Sequence, residues 1–419
     1  MRKFKLENNV NIQIIKSDKF KTDHIAVRYV LDLSAKKASA RSLLAMMLTN
    51  RTAKYPTNKE LTNYLDMNYG INVFMNTYSL GGGHLLDVRT SAISDLYIEN
   101  DSLNKQLDLI DEVVFNPLVD SEGLFDDELF EEAKMILLSK ITRRNDDPAT
   151  YAMDKACKLF GKGSLFSVSV LGSEEQVQAL TKEMVKDAYY DMLHKARVDV
   201  TIISSLPEDE VESCVRKHKF AYETSDNVGI FYDYKINDAV SEEETRRIDQ
   251  TSLILGWYSG IKPIDDEYYA LKLANIIIGG DSTSFMFQEI REKNSLCYNV
   301  YSSVFSIDGF MVAYAGISYE NKDKTAKMMR DIIEEVKKGE IDEQLETAKL
   351  LYCNSLLTQY DSASGMLNFE YQQNILGLHR NLDEVIDRIS AVTKEQVIDV
   401  VNRLTYLGEF TLKEVNDNE

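Results

Sequence analysis

The stretch Ile276-Ile-Ile-Gly279-Gly280-Asp-Ser-Thr-Ser-Phe-Met-Phe-Gln-Glu-Ile-Arg291-Glu-Lys-Asn-Ser-Leu-Cys-Tyr298-Asn-Val-Tyr301 decides how the rest of the chain is read. It begins as the end of an apolar helix. Glycine takes the left-handed C-cap conformation without a Cβ clash, so Gly279 and Gly280 are expected to stop that helix. Asp281, Ser282 and Thr283 offer N-cap oxygens to the next one. Phe285, Met286, Phe287 and Ile290 give the second helix an apolar face. Leu296, Tyr298 and Val300 then alternate as a strand does. Arg291 and Tyr298 therefore flank a helix-to-strand corner. Two readings of the pair are open on these residues alone. A cation and a phenol held by rigid elements can grip a peptide carbonyl or carboxylate. Equally, Arg291 pairs with a nearby acid and Tyr298 joins the core, the commoner fate of such side chains.

The 419 residues are many for one core, and two or more domains are expected. With 44% hydrophobic and 28% charged residues and five prolines, the composition is that of a soluble globular protein. Against 48 bases stand 68 acids, a net charge of -20 that repels nucleic acid and anionic membrane. Neither is expected as a partner. Residues 1–15 alternate like a strand pair around Glu7-Asn8-Asn9 and contain no apolar leader segment. No run reaches the roughly 18 apolar residues of a membrane span. Cys157, Cys214, Cys297 and Cys353 form no CxxC, so buried free thiols in a reducing cytoplasm are expected.

Thr57 and Glu60 form a capping box that opens a helix over Leu61–Met67. Ser79-Leu-Gly-Gly-Gly83 lies between two strand patterns and reads as a hairpin turn, not a phosphate loop. The acids at 120–132 open a helix, whose dipole they favour, and match no calcium loop. The order of patterns then repeats. Thr181-Lys-Glu-Met-Val-Lys-Asp187 matches Thr393-Lys-Glu-Gln-Val-Ile-Asp399, an offset of 212 (393 − 181). Glu132-Ala-Lys-Met135 matches Thr347-Ala-Lys-Leu350, and Asn72-Val73 matches Asn299-Val300. Residues 1–220 and 248–419 are thus two similar halves, and 221–247 read as the linker between them. The fold class is α+β.

Gly-Gly, Ser/Thr, an aromatic and then Arg291-Glu-x-x-x-Leu296-x-Tyr298-x-Val300 resembles the C-terminal-half signature of the M16 (pitrilysin/insulinase-type) zinc peptidase family. The resemblance extends over essentially the whole chain. Leu171-Gly-Ser-Glu-Glu-Gln-Val-Gln-Ala-Leu-Thr181 is similar to a first-half segment of the family. Thr52 and Tyr55-Pro56-Thr57 resemble the stretch that follows its zinc helix. The resemblance implies two halves, each an antiparallel-rich mixed sheet with helices on one face, forming a clam-like bowl. It also implies that Arg291 and Tyr298 hold substrate.

In active members the zinc helix carries His-x-x-Glu-His, two ligands one turn apart with a general base between them, and a Glu from a later helix completes the site. Aligned on Thr52, those positions here are Ser42, Ala45 and Met46, and Lys140 stands where the third ligand belongs. The five histidines, His24, His84, His194, His218 and His379, include no pair at helical ligand spacing. No metal or cofactor is expected in this chain. The substrate-holding half of the signature is present and the metal half is gone, as in the zinc-less, non-catalytic members of the family. The expectation is a non-catalytic subunit that positions peptide for a zinc-bearing HxxEH partner. The alternative is a peptide-binding or scaffolding protein with no peptidase role. A self-sufficient hydrolase is a distant third. Residues Val73–Tyr78 match the family's edge strand, which receives peptide by strand addition.

Overall fold

Alternation at the N-terminus produces strands, and apolar residues at helical spacing produce the helices laid over them. The computed structural model describes residues 1–415; residues 416–419, the end of the second half as drawn from the sequence, lie outside the described residues. The first half runs β1 (Arg2–Lys5), β2 (Asn11–Lys16), β3 (Thr22–Asp32), α1 (Ala38–Leu48), α2 (Asn58–Met67), β4 (Asn72–Leu80), β5 (Gly83–Ile93), α3 (Ser102–Phe115), α4 (Asp127–Asp146), α5 (Pro148–Phe160), α6 (Glu174–Gln178), α7 (Lys182–His194), β6 (Arg197–Ser204) and α8 (Glu208–Val215). The second runs β7 (Val240–Arg246), β8 (Thr251–Tyr258), α9 (Tyr268–Asn275), β9 (Cys297–Phe305), β10 (Phe310–Ile317), α10 (Lys322–Lys337), α11 (Asp342–Tyr360), α12 (Ala363–Ile375), α13 (Leu382–Ser390), α14 (Lys394–Arg403) and β11 (Thr405–Glu414).

The strands form two mixed sheets, ordered β1-β2-β6-β3-β5-β4 and β7-β11-β8-β10-β9. In each, one outer strand runs parallel to the last strand of its half, β2 with β6 and β7 with β11. The other ladders are antiparallel. Setting β1 aside, the two orders superpose strand for strand, and the matched sequence segments fall on matched elements. Thr181 and Thr393 cap α7 and α14 through their hydroxyls. The Thr57–Glu60 capping box is formed at α2, with the Glu60 amide donating to the Thr57 hydroxyl at 3.2 Å.

Two compact units hold these sheets. One comprises residues 1–142, 168–230 and 363–371; the other comprises 143–167, 231–362 and the described residues from 372 onward. The sequence boundaries differ at two helices. α5 groups with the second sheet, and the first part of α12 groups with the first. The helix-on-one-face expectation therefore needs an addition, because each sheet receives one further helical segment on its other face. On β3, Val27 and Tyr29 point into the main core with Leu44, Met47, Leu107 and Ile110. Arg28 points the opposite way, as the pleat requires, and meets Tyr371 of α12 with its guanidinium carbon 4.1 Å from the ring centroid. On β8, Ile254 packs with Ala152, Ala156 and Phe160 of α5.

The linker reading of 221–247 is also corrected, since Val240–Arg246 is strand β7. Its run of three glutamates carries no apolar alternation. The pairing depends instead on Gly408, at φ +130, where a Cβ would fall 1.8 Å from the Val240 carbonyl oxygen. Only glycine lets β11 pass that close to β7.

Candidate functional site

The corner between α9 and β9 is built from two π-helical turns, Ile276–Gly280 and Phe287–Lys293. Such turns are rare and recur at functional sites. Gly279 and Gly280 do not take the left-handed cap expected of them; neither has positive φ. They are glycine because the chain is crowded there. A Cβ on Gly279 would come 2.8 Å from the Ser302 hydroxyl and 2.9 Å from the Met286 sulfur. One on Gly280 would come 2.9 Å from the Asn275 amide nitrogen. The Asp281 carboxylate accepts from the Thr283 amide at 3.0 Å, a local turn closure that starts the next helical segment. Ser295, at φ +51, then reverses the chain, and the Leu296 amide donates to the Ile290 carbonyl at 3.0 Å.

The side chains at this corner sort by burial. Met286 and Ile290 are buried beneath it, as are Leu296, Cys297 and Val300. Burial pushes the Cys297 thiol up to about 11, with the Arg291 charge opposing, so this sulfur is an unreactive thiol at neutral pH. Arg291 is half-exposed, at 43%. It lies over the Phe287 ring, 4.6 Å from the centroid, and its nearest carboxylate is the neighbouring Glu292 at 3.7 Å. Tyr298 is 87% exposed. The reason lies in the ladder. Gly316 of β10 pairs with Asn299 and Ile317 pairs with Cys297, so Tyr298 is an extra residue, a bulge on β9. A bulge breaks the in-out alternation and re-aims side chains; here Tyr298 and Asn299 both face outward, and β9 is an edge strand. Simple alternation did not reveal Asn299. The signal was its place in the signature between Tyr298 and Val300.

The aligned zinc positions are placed as follows. Ser42 is buried, and its hydroxyl donates to the Val170 carbonyl at 2.7 Å and lies 2.9 Å from the Thr77 hydroxyl. Ala45 is buried and Met46 is half-buried on the same helix, while Lys140 is exposed on α4. A committed hydroxyl, a methyl, a thioether and an ammonium do not fit zinc, which takes thiolate, imidazole or carboxylate ligands. Among the described residues no three His, Cys, Asp or Glu side chains gather as a metal site. The stretch Val73–Tyr78 lies in β4, which is the outermost strand of the first sheet.

Two buried polar groupings escaped the sequence reading. Arg28 and Asp87 lie on one face of the first sheet with a 3.4 Å contact, and Arg89 donates to the same Asp87 oxygen at 2.7 Å and 2.9 Å. Asn368 of α12 accepts from Arg28 at 3.2 Å and from Arg89 at 2.7 Å. The Asp-x-Arg spacing at 87 and 89 was the available signal, since residues two apart share a strand face.

The second grouping is His84, fully buried, with neither ring nitrogen hydrogen-bonded. Burial, reinforced by the Arg41 charge, pushes it down to about 3. An unfolded chain protonates this residue near pH 6.5, so between pH 6.5 and 3 the unfolded state holds one proton more than the folded state. His84 therefore lowers stability as pH falls through that window, by about 1.4 kcal/mol per pH unit. His84→Gln is expected to flatten the decline in urea midpoint between pH 7 and pH 5 relative to the parent. An equal decline in both proteins would contradict the assignment.

With this geometry in view, comparison with known proteins is informative. Residues 179–350 match the family model described as the Peptidase M16 inactive domain. The chain is similar to the probable inactive metalloprotease YmfF of Bacillus subtilis, 25% identical over 406 residues, covering 96% of this chain and 95% of that protein. It superposes on a conserved protein from Enterococcus faecalis V583 with a TM-score of 0.93, 25% identical and covering 98% of this chain and 97% of that one. The peptidase M16 inactive domain from Pseudomonas fluorescens has the same fold, with a TM-score of 0.83 at 16% identity over 100% of this chain and 99% of that one. No helix among the described residues is long and apolar enough to cross a membrane. Over its whole length the chain is thus similar to M16-type proteins, and residues 179–350 match the family's inactive-domain model.

Proposed function

We propose that this chain is the non-catalytic subunit of a heterodimeric M16-type zinc peptidase, binding and positioning peptide for a cytoplasmic partner that carries HxxEH and the zinc. The observation that carries this reading is the corner at residues 291–298. Tyr298 stands 87% exposed on a bulge, and among the described residues Arg291 has no carboxylate closer than 3.7 Å. A cation and a phenol that stabilise little in their own fold are available to a peptide carbonyl or carboxylate. The ligand positions Ser42, Ala45, Met46 and Lys140 supply no zinc chemistry, so the hydrolytic water must come from the partner. The relative named as a probable inactive metalloprotease, matched over 96% of this chain, is consistent with that division of labour.

The test is reconstitution. Neither this chain nor the zinc-bearing subunit alone should cleave a mixed peptide library at the rate of the two together. Tyr298→Phe should raise KM for the complex several-fold, by removal of one hydrogen bond of about 1 kcal/mol. A zinc subunit fully active by itself, and unaffected by this chain, would favour the scaffolding alternative.

A further inference from the structure

We infer that the outer edge of β7 is a docking site for an extended basic segment of a partner protein, which adds a sixth strand to the second sheet. The inference goes beyond the proposed peptidase role. It concerns the edge of the second sheet opposite to β9 and Tyr298, so either reading can fail alone.

The two similar sheets differ at this edge. β2 and β7 hold equivalent places, each parallel to the last strand of its half. β2 is covered on its outer side by β1, antiparallel, with Arg2 opposite Ile14 and Lys5 opposite Asn11. Among the described residues β7 has no strand in that place, and it is the terminal strand of its sheet. Its outward amide and carbonyl groups are open to pairing.

Charge also suits the edge to a basic strand. The covering strand of the first sheet is Arg2-Lys3-Phe4-Lys5, and acids hold it there: Arg2 meets Glu208, Asp209 and Glu212, and Lys5 meets Asp226 at 2.8 Å. β7 carries Glu242, Glu243 and Glu244, with Val240 to Glu243 all exposed. Glu243 accepts from Tyr319 and pairs with Lys322, and Glu244 accepts from Tyr151 and pairs with Lys155, but Glu242 has no partner among the described residues. The edge is therefore complementary to a strand of the same basic type.

Space is present as well. A cavity of about 430 Å³ opens beside the start of β7, lined by Leu159, Phe160, Tyr234, Asp238, Val240 and Leu407 among others. It can take an aromatic side chain of the added strand, as Phe4 of β1 packs against the first core. Strand addition of this kind draws affinity from main-chain hydrogen bonds and specificity from side-chain pockets and charge.

The probe is a fluorescein-labelled peptide of residues 1–8, Met-Arg-Lys-Phe-Lys-Leu-Glu-Asn, with a control in which Arg and both Lys are Glu. Anisotropy titration of the full chain should give saturable binding of the basic peptide only, weakened by salt. Glu242→Lys, at a side chain without partners, should weaken it about fivefold or more. Hydrogen exchange should slow at residues 240–246 when the peptide is bound. Absence of saturable binding would overturn the inference, as would binding indifferent to Glu242→Lys or protection elsewhere. So would a Glu242→Lys chain that self-associates while neither protein binds peptide, since the acids would then serve only to keep edges apart.

Discussion

Arg291→Ala is expected to lower kcat/KM of the reconstituted peptidase about 100-fold while the complex still assembles, the usual scale for removing one preorganised charged donor. Arg291 does little in its own subunit. It lies on the surface over Phe287, at 4.6 Å, and its carboxylate neighbour among the described residues is the adjacent, exposed Glu292. Such a contact contributes at most about 1 kcal/mol, so folding should be insensitive to the change. Arg291→Lys keeps the charge but loses the planar fork, and should recover only part of the rate. Elution of the complex in size exclusion checks assembly, and initial rates check turnover. An intact complex with unchanged turnover would remove Arg291 from the mechanism.

The second large effect is on stability. Asp87→Leu strips the buried Arg28 of its carboxylate, and loss of one partner from a buried ion pair costs about 3–5 kcal/mol. Arg28 is fully buried, its Nε has no hydrogen bond, and its other neighbours include Thr201, Asn368, the Tyr78 hydroxyl and the Tyr371 ring. The other carboxylate that acts on it is Asp199, which is held by Arg197. The double change Arg28→Met with Asp87→Leu should regain part of the loss, because the desolvation cost of Arg28 disappears with its attraction to Asp87, while Arg89 still lacks the carboxylate it donates to. Urea midpoints of the two single variants and the double variant measure this. Additive losses would mean that Arg28 and Asp87 do not act as a pair.

The sequence was most legible where local chemistry decides conformation. The capping box at Thr57, the paired caps at Thr181 and Thr393 and the repeated order of elements are written in adjacent residues, and the structure carries them. It was least legible where a distant segment decides. β7 looks like a solvated linker because its ladder depends on Gly408, some 160 residues away. The assignment of α5 and α12 depends on which sheet each meets, and Ala152, Ala156 and Phe160 would suit either. At the corner, Gly279 and Gly280 were assigned to a cap from their conformational freedom, yet their role is steric, against Ser302 and Asn275. Alternation placed Tyr298 in a strand correctly but could not foresee the bulge that turns it outward. Arg291 and Tyr298 were legible as candidates only through their signature spacing; their exposure is a property of the fold.

The most direct test of the proposed role is affinity capture of the tagged chain from its native cells, with co-purifying proteins identified and quantified by mass spectrometry. The account predicts a stoichiometric partner whose sequence contains HxxEH. Recovery of the chain alone, or with only proteins lacking that motif, would contradict it.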